Sequence, residues 1–496
     1  MSKYLLGLDI GSSSVKASLL HIDDGKVSAS AFSPSSEMPI SSPFPGFAEQ
    51  DPEMWWIELQ HAVAKIKNTV DFAPADVAAI GISYQMHGLV CVDKDMKPLR
   101  SSIIWCDSRA VNIGIEAQKS LGEEFCLQHY LNAPGNFTAS KLKWVKENEP
   151  ELYSRMYKIM LPGDYIAAKL TGNIVTTVSG LSEGIFWDYP SAGLAKDLLN
   201  QYGIDPALLA DIVPTFGEQG KISSEAGALL GIKAGTPVCY RAGDQPNNAW
   251  SLNVLNPGEV AATAGTSGVV YGVTDKLNYD PLSRVNGFVH VNHTEMAKRL
   301  GILLCVNGTG ILNSWLRKNL FPDLRYTEMN ELAARVAPGS EGLLFFPFGN
   351  GAERILVNKD PGAQLRGLLF NRHESAHVVR AAQEGIVFAL QYGMEIMQSM
   401  GMDIKTIRAG HANMFLSEVF ASAFTNTSGC DLELYNTDGS IGAARGAGLG
   451  AGIFSSAAES FKGMHIVKEY HPEKSLVDAY GNAYSKWKME LENLLS

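Results

Sequence analysis

Cysteine and long hydrophobic runs are both scarce in this sequence, and each absence excludes a class of protein. Only 6 of the 496 residues are cysteine, and none forms a CxxC pair or has the spacing of a zinc site. We therefore expect reduced cysteines that mostly fill space in a core, as in a cytoplasmic protein. No window of about 18 apolar residues occurs, so no membrane-spanning helix is expected. A glycine and an aspartate interrupt the first ten residues, which argues against a signal peptide.

Positive charge is scarce as well. The chain has 41 Lys+Arg against 52 Asp+Glu, a formal net charge of −11, and no run of basic residues. This balance argues against nucleic-acid and anionic-membrane partners. Hydrophobic residues make up 46 % of the sequence, which leaves ample material for buried cores. The length of 496 residues suits two or three domains. The sequence therefore predicts a cytoplasmic protein that acts on small molecules.

Strand and helix patterns alternate along the chain, which predicts an α/β fold. Asp51 is the expected N-cap of a helix with Pro52 at its first position, and residues 376–400 show the apolar stripe of a long helix. The segment "GNFTASKLKWVKENEPELY" predicts one helix that a threonine or serine caps. The segment "SIGAARGAGLGAGIF" predicts a helix of small residues, whose glycines permit close approach of another backbone.

Two hairpins rich in glycine and hydroxyl residues echo each other about half a chain apart. Residues 8–15 (LDIGSSSV) and 262–269 (ATAGTSGV) both show a strand, a turn of glycine and hydroxyl residues, and a second strand. The repeat suggests two related domains that open in the same way. Such turns present N–H and O–H donors together, which suits phosphate oxygens. One turn of this kind is more often an ordinary surface hairpin, but the matched pair favours phosphate binding.

Two acidic residues stand where a functional carboxylate is expected. Asp9 precedes the first turn, where it either holds Mg²⁺ next to bound phosphates, directly or through a water, or caps the turn. Asp244, in "YRAGDQPNNAW", follows an apolar strand at the edge where α/β proteins bind ligands. It is either a base that accepts a proton from a substrate hydroxyl or the N-cap of the next helix.

A polar loop, "SYQMHGLV", interrupts two apolar strand segments. Gln85, Met86 and His87 offer an amide, a soft apolar surface and an imidazole, and this combination suits a polyol pocket. A lone histidine in such a loop is more often structural, so both interpretations of His87 stay open.

The motifs, taken in chain order, resemble the FGGY family of carbohydrate kinases, and within it the members that phosphorylate xylulose. The resemblance runs from residue 4 to about 452 and rests on "GLDIGSSSVKASLL", "GFAEQDPEMWW", "SYQMHGLV", "IIWCDSRA", "LPGDYIAAKLTG", "GDQPNNAW" and "NPGEVAATAGTSGVVYGV". It implies two ribonuclease-H-like domains of the actin, hexokinase and Hsp70 type with a central cleft. The implied divisions are a sugar-binding domain over 1–252, an ATP-binding domain over 253–452 and a helical tail over 453–496 that packs on the domains.

By this resemblance, the chain transfers the γ-phosphoryl group of ATP to a hydroxyl group of D-xylulose, with Mg²⁺. Asp244 maps onto the catalytic base and also onto the sugar site, Met86 and His87 map onto the sugar contacts, and Asp9 maps onto the metal position. We add Gln85 to the expected sugar site from its place in the same loop. The resemblance also makes a homodimer an option.

The expected nucleotide site draws on both hairpins and on three further segments. Its residues are Ser12, Ser13, Gly265, Thr266, Gly310, Ser314, Gly410 and Asn413. The family has a triple-glycine stretch at the adenine-side loop. Here only Gly410 remains of it, and His411 and Ala412 replace the next two glycines.

Three alternatives stay open. The first is another sugar or polyol kinase of the same family, for ribulose, gluconate or glycerol, although the Met-His pair favours xylulose. The second is an actin-like or chaperone-like ATPase, which shares the hairpins but lacks a sugar pocket. The third is a catalytically inactive sugar sensor, which the retained acids and hairpins disfavour.

Overall fold

A computed structural model describes residues 3–352 and 354–496, and the chain divides into two units. The first unit holds the described residues up to Asn253 together with Phe288–Arg299 and Thr437–Met464. The second unit holds Val254–Gly287, Leu300–Asn436 and His465–Ser496. Among the described residues, no helix is both long and apolar enough to cross a membrane.

The strands follow one another along both units. In chain order they are β1 (Tyr4–Ile10), β2 (Val15–His21), β3 (Val27–Ser33), β4 (Glu49–Gln50), β5 (Val77–Tyr84), β6 (Val90–Val92), β7 (Ser102–Ile103), β8 (Lys158–Met160), β9 (Val175–Thr176), β10 (Trp187–Asp188), β11 (Gly193–Leu194), β12 (Asp211–Ile212), β13 (Phe216–Lys221), β14 (Pro237–Gly243), β15 (Val260–Ala264), β16 (Gly268–Thr274), β17 (Asn286–Val289), β18 (Leu300–Val306), β19 (Leu344–Pro347), β20 (Ala363–Arg366), β21 (Thr406–Gly410), β22 (Asp431–Tyr435) and β23 (Ile466–Tyr470).

The helices alternate with these strands. In chain order they are α1 (Pro52–Thr69), α2 (Val111–Leu121), α3 (Glu123–His129), α4 (Thr138–Asn148), α5 (Pro150–Arg155), α6 (Pro162–Thr171), α7 (Val178–Glu183), α8 (Lys196–Tyr202), α9 (Ser224–Leu230), α10 (Asp244–Ser251), α11 (Gly310–Asn319), α12 (Tyr326–Ala334), α13 (Ser375–Ser399), α14 (Glu418–Ser428), α15 (Gly439–Gly450), α16 (Ala457–Ser460) and α17 (Lys474–Leu495).

The first unit is built on a sheet with the strand order β13-β14-β5-β1-β2-β3. Strands β1 and β2 form the expected hairpin, and β1, β5 and β14 run parallel. Side chains of β1 alternate between the two faces. Leu6, Leu8 and Ile10 pack in one cluster with Trp55 of α1, whereas Leu5, on the opposite face, packs in a second cluster with α15.

Helix α15 lies against β1 and β5 with its small residues. Gly7 and Gly81 are paired neighbours on these two strands. A Cβ atom on Gly7 would overlap with the Ser440 carbonyl oxygen, and one on Gly81 with that of Ala443. The two strand glycines therefore let the helix backbone approach the sheet. This packing also explains why Thr437–Met464 belongs to the first unit, whereas the expected division assigned most of it to the second domain.

In the second unit, β18, β16, β15, β21, β22 and β23 follow one another in the sheet. Strands β15 and β16 form the second expected hairpin, and β15, β21 and β22 run parallel. The long helix α13 confirms the expectation for residues 376–400. Its buried face shares one core with the sheet and with Trp487 of α17.

Two local expectations are wrong. The segment after residue 135 forms two helices, α4 and α5, because Pro150 lacks an N–H and disfavours helical backbone at Glu149. The N-cap of α4 is Phe137, and no side chain caps it. In contrast, Asp51 caps α1 as expected and accepts a hydrogen bond from the Glu53 N–H at 3.0 Å.

The segment 453–496 is not purely helical. Between α16 and α17 lies β23, which pairs antiparallel with β22 at the edge of the second sheet. Exposed and half-buried residues alternate along this strand, as expected of an edge strand with one covered face. The two glutamates and two lysines in "IVKEYHPEKS" disguised this alternation in the sequence.

Candidate active site

Three parallel strands of the first unit end at the same edge of its sheet. Ile10 at the end of β1 pairs with Tyr84 at the end of β5, and Tyr84 pairs with Gly243 at the end of β14. The segments that follow these ends are the turn over residues 11–14, called the serine turn below, the Gln85–His87 loop and Asp244. Because ligands of α/β proteins bind outside the carboxyl ends of parallel strands, this edge is the candidate active site.

Asp244 is the first residue of α10, and Gly243 is its N-cap. The N-cap alternative for Asp244 is therefore wrong. Burial and, to a smaller extent, the nearby charge of Asp9 together raise the pKa of the Asp244 carboxyl group to about 7, against hydrogen bonds from Gln245 that lower it. A carboxyl group with such a pKa accepts a proton readily near neutral pH.

Asp9 lies on the side of β1 that faces α15. A Cβ atom on Gly439, the first residue of α15, would be 2.5 Å from Asp9 Oδ2. Burial raises the pKa of Asp9, Asp438 raises it further, and the Ser83 hydroxyl and Lys16 lower it. Lys16 forms an ion pair with Asp438. Negative charge is thus concentrated around Asp9 and only partly neutralised.

This charge distribution suits a cation. Magnesium sites at phosphates use one or two carboxylates, with waters and phosphate oxygens as the other ligands. Among the described residues, no group of three or more His, Cys, Asp or Glu is arranged to hold a metal ion by itself. Asp9 therefore fits Mg²⁺ that phosphate oxygens also hold, and does not fit a site made of protein ligands alone.

The serine turn joins β1 to β2. The Gly11 N–H donates to the Ser14 carbonyl at 3.1 Å, and the Met38 N–H donates to the Ser13 carbonyl at 2.8 Å. The exposed Trp105 donates its indole N–H to Ser12 Oγ at 3.3 Å. The turn is therefore held from two sides.

The Gln85–His87 loop continues directly from β5. Gln85 and Met86 are buried, and His87 has a left-handed backbone with φ 61°. His87 Nδ1 lies 2.9 Å from the Glu183 carbonyl oxygen. Since a carbonyl oxygen only accepts, Nδ1 carries the proton. The ring centroid lies 4.8 Å from that of Phe137 and 5.4 Å from that of Phe288, so the imidazole has one fixed orientation.

Two further residues at this edge escaped the sequence analysis. Glu183, the last residue of α7, is buried, and burial raises its pKa well above its ordinary value, as do the charges of Asp244 and Asp164. A Cβ atom on Gly243 would overlap with Glu183 Oε2, which places this carboxyl group directly behind the strand end that carries Asp244. Nothing in "VSGLSEGIFW" distinguishes this glutamate from a surface residue.

The second of these two residues is Lys141, on α4. It is fully buried, and its Nζ donates to the carbonyl oxygens of His87 and Ile104, both at 2.9 Å. Burial lowers the pKa of this amine to about 7. In the sequence, Lys141 shares a helix face with the apolar Val145, and this was a usable signal of burial.

The expected nucleotide residues of the second unit surround its hairpin turn. The Gly310 N–H donates to the Gly265 carbonyl at 2.8 Å, and the Ile311 N–H donates to the Thr266 carbonyl at 3.2 Å. A Cβ atom on Gly310 would overlap with the Gly265 carbonyl oxygen, and Asn413 Nδ2 lies 3.5 Å from the Cβ position of Gly265. Gly265, Thr266, Gly310 and Asn413 therefore lie together.

Gly410 and Ser314 lie on other elements of the second unit. Gly410 ends β21, which runs parallel to β15, and Ser314 is half-buried one helical turn beyond Gly310 on α11. His411 and Ala412 follow Gly410 and are exposed. The His411 N–H donates to the Tyr435 carbonyl at 2.9 Å, so the backbone of this loop is held at the end of β22.

Comparison with known proteins covers nearly the whole chain. Residues 4–249 match the N-terminal domain and residues 260–451 the C-terminal domain of the FGGY family of carbohydrate kinases. A protein from Bacillus subtilis (strain 168) named xylulose kinase is 29 % identical, over 98 % of this chain and 97 % of that protein.

Solved structures agree on the fold. The crystal structure of xylulose kinase from Lactobacillus acidophilus has a TM-score of 0.89 and 23 % identity, over 99 % of this chain and 98 % of that one. The gluconate kinase from the same organism also has a TM-score of 0.89, at 22 % identity, over 100 % of this chain and 99 % of that one. Both confirm the expected fold, and neither distinguishes the sugar.

Proposed function

Because the chain belongs to the FGGY family of carbohydrate kinases, we propose that it phosphorylates D-xylulose with ATP, forming D-xylulose 5-phosphate and ADP. The observation that carries this proposal is the register of β1, β5 and β14, which brings Asp9, the Met86-His87 pair and Asp244 to one sheet edge. The choice of sugar rests on the Met-His pair and on relatives that are named xylulose kinase.

Asp244 acts as the general base. Its carboxylate accepts the proton of the 5-hydroxyl group while that oxygen attacks the γ-phosphorus and the bond from the γ-phosphorus to the bridging oxygen of ADP breaks. Such transfers depend mostly on positioning and charge neutralisation. A raised pKa, to about 7, makes Asp244 basic enough to help without keeping it protonated at working pH.

Gln85, Met86 and His87 form one wall of the sugar site. Met86 supplies apolar surface beside the strand end of β14, since a Cβ atom on Gly243 would be 2.6 Å from Met86 Cγ. His87 keeps one ring orientation and one tautomer through the Glu183 carbonyl oxygen. A rigid wall of this kind lowers the entropy cost of orienting the sugar hydroxyl toward Asp244.

In the first unit, the serine turn with Ser12 and Ser13 is assigned to the transferred phosphate group. Gly265, Thr266, Gly310 and Asn413 contact the nucleotide, and Gly410 and Ser314 complete that site at its periphery. Asp9 would hold Mg²⁺, which would neutralise phosphate charge. The concentration of negative charge around Asp9 supports this assignment.

A sugar panel tests the proposal. ADP release is measured with Mg·ATP and D-xylulose, D-ribulose, D-gluconate or glycerol, and without sugar. We expect the highest kcat/KM with D-xylulose. Preference for D-gluconate, which the related gluconate kinase structure makes the main competitor, would change the substrate and keep the kinase. Release that no sugar accelerates would indicate an ATPase, and no release at all would indicate a sensor.

A further inference from the structure

The side chain of Gln50 bridges the two loops that the proposed function assigns to phosphate and sugar. Gln50 lies on β4 and is only 2 % exposed. Its Nε2 donates to the Ser12 carbonyl at 2.7 Å and to the Pro39 carbonyl at 3.3 Å. Its Oε1 accepts from the Gln85 Nε2 at 3.3 Å. One amide group thus touches the serine turn and the Gln85–His87 loop.

The chemistry of its neighbours allows this amide only one orientation. Backbone carbonyls cannot donate, so the NH₂ group must face Ser12 and Pro39. The indole N–H of Trp55 cannot accept, and it lies 3.1 Å from Gln50 Oε1. Reversing the amide would set acceptor against acceptor and donor against donor in a site that water does not reach, where each unmet group costs about 1–3 kcal/mol.

The fixed orientation of Gln50 also fixes that of Gln85. Because Gln50 presents its oxygen, Gln85 must present its NH₂ group there, and Gln85 Oε1 points elsewhere. Within the part of the chain that the structure describes, this buried oxygen has no hydrogen-bond partner. It is an acceptor that a sugar hydroxyl would satisfy.

We propose that Gln50 is a positioning residue that couples the serine turn to the Gln85–His87 loop. Its amide group holds the Ser12 carbonyl and the Gln85 amide in one fixed hydrogen-bonding arrangement. The inference rests on the proposed function, which assigns these two loops to the two substrates. Gln50 itself touches neither substrate. Its loss therefore affects the binding of both through the loops that it holds.

The test compares four variants in the assay with the sugar that the wild type phosphorylates best. Gln50→Glu keeps the shape but replaces the NH₂ donor by an acceptor that faces two carbonyls. Gln50→Leu removes all hydrogen bonds and guards against misfolding caused by the added charge. Gln85→Leu removes only the hydrogen bond between Gln50 and the Gln85–His87 loop and leaves the contact with the serine turn in place. Gln60→Glu is the matched control, since Gln60 on α1 donates to the Trp56 carbonyl of its own helix, at 3.2 Å.

We expect both Gln50 variants to raise the KM for sugar and the KM for ATP, and to lower kcat/KM by roughly 10- to 100-fold, as misplaced loops do. Gln85→Leu should raise the KM for sugar alone, and Gln60→Glu should match the wild type. A fall in kcat with both KM values unchanged would overturn the proposal, because a purely structural role reduces only the active fraction. A change in one KM alone in the Gln50 variants would also overturn it.

The activity of the wild type with each sugar tests the proposed function separately. A wild type that phosphorylates a sugar other than D-xylulose refutes the proposed substrate, and the Gln50 comparison then proceeds with that sugar. A wild type that phosphorylates none of them refutes the kinase proposal and the Gln50 inference together.

Discussion

The Asp9 carboxyl group adds to the effect of burial in raising the pKa of the Asp244 carboxyl group, although Asp9 lies in the first strand of the chain and Asp244 follows the fourteenth. The register of β1, β5 and β14 produces this proximity. Two carboxyl groups that lie at the same edge of a sheet but have different neighbours are expected to take different roles. Under the proposed function, Asp244 is the base and Asp9 is the residue that would hold the metal.

Replacing Asp244 by Asn should abolish most of the activity. A positioned base contributes about 10²- to 10⁴-fold, so we expect kcat to fall by at least about 100-fold. The melting temperature should not fall, because the change removes a charge that burial disfavours. Steady-state kinetics and thermal melts check both points. A variant that keeps more than about a tenth of the wild-type kcat would contradict the role of Asp244.

The activity should rise with pH through neutrality. The pKa of Asp244 is raised to about 7, so the base holds its proton below that pH and loses it above. The value of kcat/KM for the sugar, which reports on the free enzyme, should therefore increase between about pH 5.5 and 8 and then level off. A flat profile over this range, with stable protein throughout, would show that no such base controls the reaction.

Replacing Gly439 by Ala should weaken the use of Mg·ATP. The added methyl group would be 2.5 Å from Asp9 Oδ2, so the carboxyl group must move. We expect a higher Mg²⁺ requirement and a kcat/KM for ATP reduced roughly tenfold or more. Gly481→Ala is the control, because that helical glycine of α17 has no atom within 4 Å of its Cβ position. Equal effects of the two changes would count against a special role of the space beside Asp9.

Replacing Gly310 by Ala should affect the nucleotide and spare the sugar. The methyl group would overlap with the Gly265 carbonyl oxygen and push apart the helix start and the hairpin turn. We expect the KM for ATP to rise by roughly tenfold, with the KM for sugar unchanged. Titration of both substrates measures the two constants. An effect on the sugar alone would remove Gly265 and Thr266 from the nucleotide site.

Lys141 should make stability depend on pH. The pKa of its amine is about 7 in the folded protein against an ordinary 10.5, so between these values the unfolded chain binds more protons. Its contribution to the free energy of unfolding therefore rises with pH from about 7 to about 10.5. Lys141→Met should lose this rise, seen as a smaller gain in melting temperature from pH 7 to pH 9.

Lys143→Met is the matched control for that experiment. Lys143 lies on the same helix and forms an ion pair with Glu147 at 2.9 Å. The control should keep the pH dependence of the wild type. If Lys141→Met also keeps it, the amine of Lys141 does not lose its proton in the folded protein.

Local patterns were sufficient to predict the hairpins, the cap at Asp51 and the strand-end position of Asp244. Each of these depends on residues adjacent in sequence. Glu183, Lys141 and Gln50 escaped because their importance arises from partners far along the chain: Glu183 behind Gly243, Lys141 at the His87 carbonyl, and Gln50 at Ser12. A polar residue in a strand or helix does not by itself reveal that it is buried.

The expected domain boundaries differ from the observed units for the same reason. Thr437–Met464 joins the first unit because Gly7 and Gly81 leave room for α15, and two glycines so far from that helix in sequence give no signal of contact. A cytoplasmic location and a homodimer stay predictions.

The packing of α15 on β1 and β5 has a consequence for biosynthesis. Ribosomes add about 5–20 residues per second, so the helix emerges roughly 20 to 90 seconds after the strands that it covers. During this interval Leu5, Leu20 and Ala79, which share a cluster with Ile441 and Ala444 of the helix, have no cover from it. The nascent chain thus carries an apolar sheet face without its covering helix until residues 439–450 have been synthesised.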